Sequence, residues 1–419
     1  MRVPTPNGGE MLLTRRHFLF GALGVGALAA VGGGAAVVIQ HANQSDEEEI
    51  TVLDVPPEAV STSDACTEVV ADDYMGLVAT VEMPYGTLVW SNSEDVAACL
   101  IPTEGSKPLA QIALLSLGSG TYETVVEQAV GQDEGFEIYD VRATATGMIW
   151  TEADILEGIW RIYTVRVDGM SVGEPVLADE GNGEWETPTI AVVGSRAFWQ
   201  VLPKADGPRK AEDSVLKRAS VGTANAEVVF SSHGRMSTPP YPTADAIVIT
   251  PRTDTSSVHH KLTCIDAATG DVRDTMVLPK SMKPLEAGYG ETGFMFSFDA
   301  IYNYGGGIAN LGTYVPASRV TDGSYSGAPW FRFSKTPTAA PAWCGSFLMV
   351  KASTAVCGID LDANTYFAFD VKSGADKYGE YLASTGSGNS VVTYTNIDDK
   401  PINGAAKKLC LVRVWQPLG

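Results

Sequence analysis

The sequence predicts an all-β fold, built from four-stranded sheets arranged as the blades of a propeller and preceded by one N-terminal helix. Beyond residue 50 the chain consists of short segments rich in Val, Ile, Thr, Tyr, Phe and Trp, separated by Gly, Pro, Asn and Asp. Long helical periodicity is nearly absent there. The two other observations behind this prediction are a regular repeat of turn glycines and an apolar segment near the N-terminus.

The turn glycines recur at a steady spacing. Strand–turn–strand segments such as HKLTCIDAATGDVRDTMVL (260–278) each contain one, and glycine permits the positive φ that such turns need. The series is Gly120, Gly169, Gly222, Gly270, Gly323 and Gly374, with gaps of 49, 53, 48, 53 and 51 residues. A further strand pair precedes each turn, so each period holds about four strands. We therefore expect all six glycines on one face, joining the third and fourth strands of successive blades.

The two ends of the repeat region are expected to share one blade. The strand around Leu409 to Trp415 lies where the next turn glycine should fall, and the segment 67–83 can supply its missing partner. Six complete repeats and one shared blade predict a propeller of seven blades, with six or eight blades as the alternatives. Two tandem β-sandwiches are the alternative fold, but they do not explain a repeat of about 50 residues.

The N-terminal segment carries an export pattern. Thr14-Arg15-Arg16-His17-Phe18-Leu19 resembles the twin-arginine signal, Ser/Thr-Arg-Arg-x-Phe-Leu, and residues 18–39 then lack any charge. The resemblance implies export by the twin-arginine translocase. The uncharged run is also long enough to span a bilayer, with Arg15 and Arg16 inside. We expect either a single uncleaved membrane anchor with the domain outside, or cleavage and a secreted protein.

Three regions follow from these patterns. Residues 1–40 form the twin-arginine signal or transmembrane anchor, residues 41–66 an acidic tether, and residues 67–419 the propeller. In the style of its repeats, the third region resembles the divergent extracytoplasmic propellers related to the TolB and dipeptidyl-peptidase N-terminal type. That resemblance implies a fold, and it carries over no functional residues.

Composition narrows the function. A formal net charge of −21 argues against binding nucleic acid or an anionic membrane surface. All six cysteines follow the predicted anchor, where disulfides are permitted. Cys344 and Cys357 are the best candidate pair because they flank a predicted hairpin, with free buried cysteines as the alternative. No C-x-x-C motif occurs, so a zinc ribbon or a thioredoxin-like site has no support.

No catalytic or metal motif emerges. A prolyl-peptidase-like enzyme would need a G-x-S-x-G elbow, and GSYSG (323–327) places Tyr325 at the serine position. DLDANTYFAFDV (360–371) begins like a calcium loop but lacks its glycine and its final acid, which favours a plain hairpin turn. His259 and His260 are adjacent on a strand and point to opposite faces, so we predict no metal and no cofactor.

Loops on one propeller face combine aromatic and charged residues. Aromatic rings beside carboxylates suit sugar stacking or cation binding. The candidate ligand-binding residues are Trp160, Glu184, Trp185, Glu186, His233, Arg235, Tyr302 and Tyr304. The first hypothesis is a module that binds an extracytoplasmic protein or carbohydrate. A glycan hydrolase or lyase that pairs Glu152 with Glu184 or Glu186 is the second, and a purely structural envelope protein is the third.

Overall fold

The computed structural model describes the chain over residues 50–105, 107–253, 259–280, 282–298, 312–320, 323–335, 337–399 and 407–418, and the backbone of two short N-terminal strands. Those two strands, Arg2–Pro4 and Glu10–Leu12, pair antiparallel. The described helices are single 3-10 turns at Pro57–Ala59, Ser63–Ala65, Ala71–Asp73, Gln132–Glu134 and Tyr325–Gly327. The remaining regular structure is strand, so the predicted all-β class is confirmed.

Six antiparallel sheets, blades 1 to 6, are each built around four consecutive strands. Blade 1 contains Leu88–Trp90, Val96–Pro102, Ala110–Ser116 and Thr121–Val126; blade 2 contains Glu137–Ala143, Gly147–Asp154, Ile159–Asp168 and Val176–Gly181, with Ser171–Val172 as a short extra strand. Blade 3 contains Thr189–Val193, Arg196–Val201, Ser214–Ser220 and Glu227–Ser232; blade 4 contains Tyr241–Pro242, Ala246–Ile249, Lys261–Asp266 and Val272–Val277. Blade 5 contains Pro284–Gly290, Gly293–Phe298, Thr313–Pro316 and Trp330–Phe333; blade 6 contains Ala342–Cys344, Phe347–Lys351, Val356–Asp360 and Thr365–Ala368.

A further four-stranded sheet, the closing sheet, joins the two ends of the propeller. Its strands are Ala375–Leu382, Val391–Asp399, Lys407–Pro417 and Met75–Pro84. The last two pair antiparallel, with Leu409 opposite Pro84 and Trp415 opposite Leu77. The predicted pairing between the C-terminal strand and the 67–83 region is therefore confirmed.

Apolar side chains fill the spaces between successive sheets. The second strand of blade 1 shows why: six consecutive residues from Val96 are buried, as expected for a strand covered on both faces. Separate clusters lie between blades 1 and 2, 2 and 3, and 3 and 4. A large one spans blades 4 to 6, and two others join the closing sheet to blade 6 and to blade 1. The core therefore follows a ring, which is the propeller-like arrangement.

The turn glycines follow the predicted repeat with one exception. Gly120, Gly169, Gly222, Gly270 and Gly323 all have positive φ and join third to fourth strands. Gly374 also has positive φ, but it connects blade 6 to the closing sheet, so its predicted place was wrong. In blade 6 the corresponding turn is taken by Asn364, at φ 53°. Asn tolerates this left-handed conformation better than other side chains do.

Residues 50–84 run along the outer edges of four sheets and form what we call the rim strap. Val52 bridges Val277 of blade 4, and the strands Val60–Thr62 and Thr67–Glu68 pair in parallel with the outer strands of blades 5 and 6. Met75–Pro84 completes the closing sheet. Residues 50–66, expected to be part of an acidic tether, thus lie against the propeller because their backbone groups complete sheet edges.

The segment 384–390 lies across one mouth of the central channel, and we call it the plug. It contacts inner parts of three blades. Thr385 N–H donates to Ser91 O of blade 1 at 2.9 Å, and Gly386 N–H donates to Tyr241 Oη of blade 4 at 2.7 Å. Ser387–Gly388 pairs in parallel with the inner strand of blade 6. The plug therefore links blades 1, 4 and 6.

Two other sequence predictions concern cysteines and the membrane. All six cysteines are free, so the predicted Cys344–Cys357 disulfide is absent. Cys344 lies on the first strand of blade 6 and Cys357 on the third. Two strand spacings, about 9.5 Å, exceed the reach of a disulfide. The twin-arginine segment and its apolar run lie outside the described residues, and among those that are described no helix has the length and apolarity to cross a membrane.

Candidate functional site

Loops at one edge of the blades form the candidate functional face. Because neighbouring strands of a blade run in opposite directions, the loop between its second and third strands emerges on the same side as the loop to the next blade. On this face the loops 182–188 and 202–213 are joined. Trp185 and Pro203 form an isolated β-bridge, and Glu186 N–H donates to Leu202 O at 3.0 Å. This pairing fixes both loops above blade 3.

A cleft with a basic lining lies on this face, above blades 3 to 5. We call it the cationic cleft, and its volume is about 340 Å³. It is lined by Ala205, Lys210, Arg235, Met236, Ser237, Arg252, His260 and Lys283. Four of these side chains are cations and none is a carboxylate. A group with negative charge is therefore the ligand that this lining favours.

Arg235 is held at the cleft wall by a carboxylate behind it. Its guanidinium lies 2.6 Å from Glu186 Oε1, and its Nη2 donates to Oε2 at 2.8 Å. Nη1 also donates to the carbonyl of Pro203. This bidentate pair fixes the plane of the guanidinium. Because Glu186 balances its charge, Arg235 contributes oriented donors rather than net positive charge.

The other three cations are less constrained. Lys210, Arg252 and Lys283 are exposed, and none of them forms an ion pair with a residue in the described part of the chain. Their charges converge on one cleft in a protein whose net charge is −21. A local positive field of this kind attracts anions that the rest of the surface repels.

His260 occupies the wall of the cleft between two of these cations. Burial, together with the charges of Arg252 and Lys283, lowers the pKa of His260 to about 4. The imidazole is therefore neutral near pH 7. Its Nδ1 is buried and has no hydrogen-bond partner among the described residues. A neutral imidazole with one N–H can donate to an anion without adding charge.

The sequence-predicted site residues lie in different surroundings. Trp160 is buried beneath Gly181, where no side chain would fit. Arg209 pairs with Glu184 at 2.5 Å and lies 5.8 Å from the ring centre of Trp185. His233 is exposed and lies 2.8 Å from Asp213. Of the predicted set, Arg235 lines the cleft and Glu186 supports it, whereas Tyr302 and Tyr304 lie outside the described residues.

The carboxylates considered for glycan hydrolysis are held in structural contacts. Glu152 is fully buried, and its two oxygens accept from the N–H groups of Val130 and Gly131 at 2.7 and 2.9 Å. The indole of Trp150 donates to the same carboxylate at 3.0 Å. Glu184 and Glu186 are both paired with arginines. This geometry gives the three carboxylates no shared opening to a substrate.

The two adjacent histidines lie in different surroundings. His259 Nδ1 lies 2.9 Å from Leu278 O, and His260 faces the cationic cleft. Across the described ranges there is no group of three or more His, Cys, Asp and Glu side chains that could hold a metal ion.

Sequence reasoning missed Lys210, Arg252 and Lys283 because they come from three loops that are distant along the chain. The sequence of the loops on this face does show a recurrent pattern of basic residues. Basic residues follow proline repeatedly in them, at Pro203-Lys204, Pro208-Arg209, Pro251-Arg252 and Pro279-Lys280. Counting basic residues by propeller face, rather than over the whole acidic chain, would have found the cluster.

Comparisons with known proteins agree with the fold. No family model and no curated protein matches the chain. A structure from a mechanistic study of two prolyl endopeptidases aligns with a TM-score of 0.50 and 12% identity over 83% of this chain. A post-proline cleaving enzyme from Rickettsia typhi aligns with a TM-score of 0.49 and 8% identity over 78% of this chain. An oligogalacturonate lyase in complex with manganese aligns with a TM-score of 0.45 and 9% identity over 79% of this chain.

The first of these alignments supports the class of fold and nothing beyond it. The chain spans about half the length of the two peptidases, 48% and 52% respectively, and 96% of the lyase. Together with the sheet topology, the first alignment identifies a β-propeller-like all-β protein.

Proposed function

We propose that this protein is an exported β-propeller that binds an anionic glycan through the cationic cleft. One observation carries the proposal: Lys210, Arg252 and Lys283, which have no carboxylate partner among the described residues, converge beside the oriented donors of Arg235. Carboxylate and sulfate groups on a sugar match such donors in charge and geometry. The same three charges would repel a cation, so the charge of the ligand is the most specific part of the proposal.

The size of the cleft favours a glycan over a protein. A stable protein interface needs about 800 Å² from each partner. The cationic cleft is lined by eight residues and has a volume of about 340 Å³, which suits one or two sugar units. An acidic protein remains the second partner class, and the experiment below separates the two.

The export part of the proposal rests on Thr14 to Leu19 and on the uncharged residues 18–39. We propose transport by the twin-arginine translocase, followed either by retention as an N-terminal membrane anchor or by cleavage and secretion. In both cases the cleft works outside the cytoplasm. We also count the closing sheet as a seventh blade, in the manner of the TolB-type and dipeptidyl-peptidase-type propellers.

Binding by the full-length chain in detergent tests the proposal. In isothermal titration with carboxylated, sulfated and neutral oligosaccharides, and with an acidic peptide, only the anionic sugars should give heat that depends on Arg252 and Lys283. Each of Arg252→Gln and Lys283→Gln should weaken binding about fivefold, because one partly exposed charge contributes about 1 kcal/mol. Added salt should weaken anionic-sugar binding by the wild type more than binding by the double variant, which carries both Arg252→Gln and Lys283→Gln.

Arg166→Gln is the matched control, since Arg166 is exposed on the third strand of blade 2, away from the cleft. This variant should bind like the wild type. Equal affinity of the wild type and the double Arg252, Lys283 variant for the anionic sugars would refute the proposed site. Binding of the acidic peptide alone would assign the cleft to a protein partner.

A further inference from the structure

A second cleft lies at the opposite mouth of the channel, beside the plug. Its volume is about 400 Å³, and we call it the hydroxyl-lined cleft. Turns between the first and second strands of blades 1 and 4 form two of its walls, and the plug forms a third. These turns emerge opposite to the loops of the cationic cleft, because strand direction alternates within each blade. The two clefts are therefore separate sites.

The lining differs in chemistry from that of the cationic cleft. It includes seven hydroxyl side chains and no Lys, Arg or His. The hydroxyls belong to Ser91, Ser93, Thr243, Ser384, Thr385, Ser387 and Ser390. Glu94 and Asp95 add two carboxylates, Asn92 adds an amide, and Trp343 adds a largely buried aromatic wall.

Backbone contacts hold this lining in place. The carbonyl of Gly386 accepts from Trp343 N–H at 2.8 Å, and that of Gly388 accepts from Gly345 N–H at 2.8 Å. Glu94 accepts from Asn389 N–H at 2.5 Å. On the far side, Asn92 Nδ2 donates to Val192 O at 2.7 Å and ties the turn of blade 1 to blade 3. The cleft is thus built on four sheets rather than on one loose loop.

Several polar groups of the lining remain available to a ligand. Within the described part of the chain, the side chains of Thr385, Ser387, Ser390 and Asp95 have no protein hydrogen-bond partner. Each hydroxyl can both donate and accept, and each carboxylate oxygen can accept. A ligand that carries several hydroxyl groups offers the same combination of donors and acceptors.

From this lining we infer that the hydroxyl-lined cleft binds a neutral sugar unit. Glu94 and Asp95 would repel an anionic sugar, and the described residues contain no group of three or more His, Cys, Asp and Glu side chains that could hold a metal ion. An apolar ligand would leave the hydroxyls unpaired. The sugar would place hydroxyls against Asp95 and the plug, and one face towards Trp343. This inference is independent of the cationic cleft.

Saturation-transfer NMR with the full-length chain tests the inference. The probes are the methyl glycosides of glucose, galactose and mannose, with glucosamine as a cationic comparison. At least one neutral glycoside should receive saturation. Its affinity should fall about fivefold in Asp95→Asn and in Thr385→Val, as expected for one lost hydrogen bond. The matched control is Asp168→Asn, which changes an exposed carboxylate on the same propeller face and should have no effect.

The cationic-cleft variants separate this inference from the proposed function. Arg252→Gln should leave neutral-sugar binding intact, and Asp95→Asn should leave anionic-sugar binding intact. Failure of all three neutral glycosides to bind would overturn the inference. So would glucosamine binding alone, or neutral-sugar binding that both lining variants leave unchanged.

Discussion

Replacing Glu380 by Gln should destabilise the propeller strongly, although Glu380 lines neither cleft. Glu380 and Arg413 are 0% and 1% exposed and lie 2.7 Å apart in the closing sheet. Thr395 Oγ1 donates to the same carboxylate, and Arg413 Nη2 also donates to Asp370 O at 3.0 Å. Glu380→Gln retains the side-chain shape and removes the only negative charge of this buried pair.

The expected loss is about 3 kcal/mol, the lower end of what breaking a buried ion pair costs. For a domain of about 350 residues this lowers Tm by roughly 4 °C. Lys351 adds to the effect. Burial lowers the pKa of Lys351 to about 8, while the charge of Glu380 opposes that fall. Without Glu380, Arg413 would lose its buried counter-charge and Lys351 would lose the largest of the charges that favour its protonated form. A combined Glu380→Met, Arg413→Met variant should recover much of the stability.

Calorimetry and urea unfolding followed by tryptophan fluorescence measure these differences. The matched control is Glu82→Gln in the same sheet, because Glu82 pairs with Lys407 at 2.6 Å but both side chains are more than half exposed. The control should lose less than about 1 kcal/mol. If Glu380→Gln and Glu82→Gln were equally stable, the reasoning from burial would be wrong.

Two further predictions concern single residues. Burial raises the pKa of Glu286 to about 7, so the folded wild type binds more protons than the unfolded chain between about pH 4.5 and 7 and loses stability as the pH rises through that range. The free energy of unfolding of Glu286→Gln should therefore equal that of the wild type at pH 4.5 and exceed it at pH 8 by at most about 3 kcal/mol. An equal difference in stability between the two proteins at both pH values would contradict this. Asn364→Gly should be nearly neutral, whereas Asn364→Ala should cost about 1 kcal/mol because of the positive φ, and urea unfolding that ranks the two variants in the reverse order would contradict the turn assignment.

Local patterns predicted the blades well. The glycine series identified the third-to-fourth turns of blades 1 to 5, since only a positive φ closes them and glycine adopts it readily. The series failed at blade 6 because Asn364 provides the same conformation with a different residue. The missing strand of the last repeat was sufficient to predict that the strand around Leu409 to Trp415 pairs with the 67–83 region, and the observed partner is Met75–Pro84.

The rim strap and the sites were harder to predict. The acidic run at residues 46–49 indicated a tether, and residues 50–66, which follow it directly, were assigned to the same region. Trp160 was taken for a ligand contact because it ends a loop, yet it packs beneath Gly181. Both clefts combine loops from several blades, and no local pattern indicates which loops meet.

The rim strap sets the order in which strands can pair as the chain is synthesised. Val52, Val60, Thr67 and Met75 emerge from the ribosome before any blade, but they pair with Val277, Trp330, Thr365 and Pro417, in that order. The earliest residues of the domain must therefore wait for the latest ones, and the final pairing forms only after the last strand is complete. A prematurely terminated chain keeps unpaired strap edges that quality-control proteases can recognise. Completion of the strap thus distinguishes a finished chain from an unfinished one.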